Sequence, residues 1–209
     1  MIRLPLAALL LASCGPQALS LPEAAVDRAA TCGVVAAAEA RAATNDIKQV
    51  LPFTAQLRIL HYALLAGAQG EAFSEEASTA VIERMTALQE EITEGKWQEL
   101  APACRAAYPA AEKAEVTLPP DRFEAQLGCD ELGKFLTDRL RSQEMNYGGP
   151  LGEYRDLLRD FDKTLGPGLR SRAGADLAGQ QAERREALAA VAKLGQPASV
   201  MRQCIERYG

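Results

Sequence analysis

The chain is poor in the groups that most catalytic and metal sites need. Its 209 residues include one histidine, one tryptophan, five tyrosines and five phenylalanines. With His61 as the only imidazole, a serine or cysteine triad would depend on that residue alone, and zinc sets built on several histidines are ruled out. No Cys-x-x-Cys is present, which removes the usual redox and zinc-ribbon spacing. Gly-x-Ser-x-Gly, a phosphate-binding glycine loop, a dinucleotide fingerprint, His-Glu-x-x-His, a haem-attachment motif and a calcium loop are all missing. An excess of basic residues is missing too. Lys and Arg number 23 against 28 Asp and Glu, for a net charge of −5, so the sequence predicts no basic face and no nucleic-acid partner. The strongest apolar run, Leu4 to Ala12, is far short of the ~20 residues a spanning helix requires.

What is present favours helix. Hydrophobic residues make up 48% and charged residues 24%, in the range of a soluble globular protein. Alanine, the best helix former, is abundant. The first residues form a cationic start, Met1-Ile2-Arg3, then the apolar stretch, then Leu11-Ala12-Ser13-Cys14. This is the three-part layout of a secretory signal. The last four residues resemble the lipobox of bacterial lipoprotein precursors. That resemblance implies a diacylglycerol on Cys14, cleavage before it, and a mature protein held in the outer membrane facing the periplasm, since Gly15 rather than Asp follows the cysteine. Two other readings stand beside it: ordinary signal peptidase cleavage after Ser20, with Ala18 and Ser20 as the small-residue pair, or an uncleaved N-terminal helix. Either export reading places the body of the protein in an oxidising space.

Laid on itself, the chain repeats. A shift of 97 puts Leu21-Pro22 on Leu118-Pro119, Cys32 on Cys129, and Arg58 on Arg155. A shift of 100 puts Glu83-Arg84 on Glu183-Arg184, Gly95 on Gly195, Cys104 on Cys204, and Tyr108 on Tyr208. The expected fold is therefore all-α, two tandem copies of a disulfide-stapled unit of three to four helices. The expected boundaries are a signal peptide over 1–13, a tether over 14–19, repeat one over 20–108, a linker over 109–116 and repeat two over 117–209. Ser20 and Thr117 are the expected N-caps, and breaks are expected at 44–52 and 146–150. Tyr147-Gly148-Gly149-Pro150 and Gly166-Pro167-Gly168 read as turns. Gly95 and Gly195 should end the third helices in a left-handed turn. The Pro-containing linker reads as exposed.

With Cys14 assigned to the leader or its lipid, four cysteines allow three pairings. Repeat symmetry selects Cys32–Cys104 and Cys129–Cys204, each joining the first helix of a unit to its last. No catalytic, metal or cofactor site is expected. His61 reads as a packed histidine, since its counterpart is Leu158. Glu83 and Glu183 read as solvated helix positions. Trp97 reads as partly buried and as a possible partner contact. Three functional readings follow: a non-catalytic envelope lipoprotein that binds another protein, with the membrane as its second partner through the lipid; a helical carrier or sensor of an apolar small molecule; and an envelope hydrolase using paired carboxylates. The first predicts an exposed apolar groove around Trp97 or between the units. The second predicts a sizeable cavity, and the third predicts facing acids in a cleft.

Overall fold

A computed structural model describes residues 20–44, 46 and 48–209. The assignments to Cys14, the leader and the tether over 14–19 lie outside the described residues. Among the described residues the chain is all-α, with nine helices, one 3-10 turn and no strand. They are α1 (Ala25–Ala42), α2 (Phe53–Gly67), α3 (Glu75–Glu94), α4 (Trp97–Ala107), α5 (Pro109–Glu112), α6 (Arg122–Arg139), α7 (Glu144–Ala173), α8 (Leu177–Ala192) and α9 (Pro197–Tyr208). In the first half α1 packs against α2, α3 and α4; in the second, α6 packs against α7, α8 and α9. Disulfides join Cys32 to Cys104 and Cys129 to Cys204, so they tie α1 to α4 and α6 to α9.

Helix α2 holds the halves together. It carries two apolar stripes, each with the i, i+3, i+4, i+7 spacing of a helix face. Ile59, Tyr62, Ala63 and Ala66 are buried with α1, α3 and α4 residues of the first half. Leu57, Leu60 and Leu64, with His61 between them, are also buried, and the three leucines join the core of the second half. At 100° per residue the two stripes lie on nearly opposite sides of the helix. A helix apolar all round belongs inside a protein, and α2 is the inner wall of both halves. Phe73 extends the same core, its ring centroid 5.7 Å from that of Phe135. The backbone N–H of Phe73 donates to the Arg185 carbonyl at 3.0 Å.

Several local expectations are corrected. The helices start later than Ser20 and Thr117 imply. α1 begins after Ala24 with no side-chain cap, and α6 is capped by Asp121, whose carboxylate accepts from the Glu124 N–H at 2.9 Å. The two Leu-Pro pairs precede the helices, Leu21-Pro22 before α1 and Leu118-Pro119 before α6. The break expected at 146–150 is a kink at Tyr147 (φ −125°, ψ 20°), after which Gly148-Gly149-Pro150 are already helical. Gly166-Pro167-Gly168 form no turn: α7 runs through them to Ala173. Gly168 is needed there because a Cβ would come within 2.3 Å of the Phe123 ring. Gly95 ends α3 at φ −83°, without the left-handed turn, while Gly195 does have positive φ, at 155°. The stretch 109–116 is exposed at Pro109 and over 112–115, while Ala111 and Val116 are buried and pin it to the fold. Its backbone is clamped by the second half, with Gln196 N–H donating to the Lys113 carbonyl at 2.9 Å and Gln203 Nε2 to the Val116 carbonyl at 2.6 Å.

Candidate functional site

The main concavity is a groove of about 730 Å³. α1 contributes Val34, Ala37, Ala38 and Arg41 to it; α2 contributes Gln56, Ile59 and Leu60; α3 contributes Ile82, Met85, Thr86, Gln89 and Thr93. Leu51 lies before α2, Trp97 begins α4, and Arg139, Leu140 and Gln143 come from the second half. The walls therefore belong to both halves. Gly33 lets the Met85 side chain lie close against α1, where a Cβ would stand 2.7 Å from its sulfur. The Cys32–Cys104 bridge fixes α1 to the helix that carries Trp97.

The polar side chains on the groove are neutral or cationic. Arg139 is already engaged: it lies 3.1 Å from Glu75 and 3.2 Å from the Thr79 hydroxyl, with its guanidinium over the Phe135 ring. Arg41 donates to the Gln49 carbonyl and has no carboxylate within 4 Å among the described residues. Among the described residues no Asp or Glu lines this groove. At the Leu51 end, the Tyr147 hydroxyl donates to the Leu51 carbonyl at 2.8 Å, and its ring packs on Phe53 at 5.3 Å. Burial raises the Tyr147 pKa, with Arg41 opposing the shift.

A smaller cleft of about 200 Å³ lies between α6 and α8. Phe123, Leu127 and Val191 line it together with Glu124, Glu183 and Glu186. Glu124 is paired with Arg172 at 3.2 Å. The most buried carboxylate, Asp130, lies beside this region and holds both Lys134 at 2.7 Å and Arg184 at 3.1 Å. Arg184 also pairs with Glu131, whose pKa is raised chiefly by burial. Glu124, Asp130 and Glu131 thus each pair with a basic side chain of the fold.

The chain matches no family model, no curated protein and no solved structure. Its residues must therefore carry any functional reading. Trp97 lies half-buried on the groove. His61 is fully buried, and its Nε2–H donates to the Ala192 carbonyl at 2.8 Å. That places it between the halves and away from any surface. Glu83 is exposed, and Arg84 beside it pairs with Asp27 at 2.6 Å. Sequence reading missed the groove residues as a group, because they come from five helices and two connections. The one available signal was the second apolar stripe of α2.

Proposed function

We propose that this chain is a non-catalytic binding protein of the bacterial envelope, exported by its leader and tethered to the outer membrane by lipid on Cys14, with the α1–α3 groove as its working surface. The observation that carries the reading is the groove itself. It is open, largely apolar, built on helices stapled by a disulfide, and within the ~300–1,000 Å³ range of small-molecule sites. Two disulfides also accord with an oxidising compartment. The volume favours an apolar small molecule as the occupant. A protein partner is the second reading, favoured by the fully exposed Met145 and the half-exposed Val50, each close in sequence to a groove residue. The like order of helices and bridges in the two halves supports descent from a duplicated unit.

The test is recovery of the protein from the envelope of intact cells, with and without crosslinking, followed by native mass spectrometry. The expected result is an acylated Cys14 peptide, and a bound small molecule that is lost in Ala37→Phe, which fills a half-buried position on the groove wall. The bare protein mass together with one abundant crosslinked protein would overturn the small-molecule occupant in favour of the second reading. Recovery from the cytoplasm would overturn the envelope assignment.

A further inference from the structure

The chain has 28 acidic residues and a net charge of −5, yet among the described residues no acid lines the main groove, although two arginines do. Arg139 is neutralised by Glu75. Arg41 has no carboxylate partner among the described residues and donates to a single backbone carbonyl. A guanidinium has five N–H donors, so Arg41 retains donors for a second acceptor. Beside it run the apolar side chains of Val34, Ala38, Ile82 and Met85. From Ile82 to Thr93 the α3 side of the groove extends about 16 Å at 1.5 Å per residue. An extended alkyl chain of about a dozen bonds spans that length. The groove is thus apolar along its walls, cationic at one unpaired point and free of like charge that would repel an anion.

Resting on the binding role above, we propose that the occupant is a long-chain carboxylate, with a single acyl chain along α1 and α3 and its anionic head at Arg41. A neutral chain would gain the same apolar burial but not the charge-assisted hydrogen bond. A cationic amphiphile would meet Arg41 as a like charge.

Trp97 is the only tryptophan and lies on the groove, so its emission reports occupancy in the full folded protein. Dodecanoate, kept below its micelle concentration, should change that emission saturably at one equivalent. 1-Dodecanol should bind at least about tenfold more weakly, in keeping with the loss of a hydrogen bond between charged groups. Arg41→Gln should weaken dodecanoate by about tenfold and leave dodecanol unchanged, with the helical circular dichroism retained. Ala37→Phe should weaken both. Equal affinity for the acid and the alcohol would overturn the carboxylate preference while leaving the binding role intact. Binding to phosphatidylglycerol vesicles without binding to dodecanoate would overturn it in favour of a lipid surface. No response to any probe, with a bare native mass from cells, would overturn both the preference and the small-molecule role.

Discussion

His61 caps a helix that lies 131 positions away in the chain: its Nε2–H donates to the carbonyl of Ala192, the last residue of α8. The final carbonyls of a helix have no partner within it, and here one is satisfied from the opposite half. Burial lowers the His61 pKa from 6.5 to about 4, although the Ala192 hydrogen bond opposes the shift. The unfolded chain therefore takes up a proton near pH 6.5, and the folded one only near 4. The contribution to stability is complete above pH 6.5 and is lost as pH falls through that window, at about 3 kcal/mol in total. Urea unfolding of His61→Leu should show a loss of about 1 kcal/mol at pH 7, from the unpaired carbonyl. It should also show a flatter decline between pH 6.5 and 4. Identical pH slopes for the two proteins would remove His61 as the cause.

The two bridges close long loops, with separations of 72 and 75 residues. Each should contribute about 4 kcal/mol on the chain-entropy model. Because leucines of α2 belong to the core of the second half, removing either bridge should lower one shared unfolding transition. Calorimetry of the double variants C32S/C104S and C129S/C204S tests this. Two separate transitions, with only one of them moved in each variant, would mean that the halves unfold independently.

Gly195 has φ of 155°, and a Cβ there would lie 2.5 Å from the Lys113 carbonyl oxygen and 2.6 Å from Val116 Cγ1. Gly195→Ala should therefore destabilise the fold by about 2 kcal/mol or more, through backbone strain and the loss of this close approach. Gly95, at φ −83°, should accept alanine at a cost under about 1 kcal/mol. Midpoints of chemical unfolding would compare the two, and equal losses would count against the geometry at Gly195.

How much of this was legible beforehand differs from residue to residue. The all-α class followed from alanine content and helical spacing, and the disulfide pairing followed from internal sequence matches, since both signals are local or repeat-based. The cap at Thr117 was misplaced because Asp121 is better positioned against the Glu124 N–H, whereas α1 starts after Ala24 with no side-chain cap for Ser20 to compete with. Gly166-Pro167-Gly168 misled for a different reason. A tertiary contact with Phe123 favours glycine within a continuing helix, overriding the local turn preference.

By itself, the sequence determined that the described chain would be helical and where its four paired cysteines would meet, because periodicity and the matched positions of the two halves are written along the chain. Only the tertiary structure decided that α2 would serve both cores, that His61 would cap α8, and that residues of α1, α2, α3 and α6 would enclose one groove lined by no carboxylate. Those features depend on how the halves pack against each other. That packing is set by surface complementarity between elements distant in the chain; the two apolar stripes of α2 mark it as an inner helix but do not say which elements it meets.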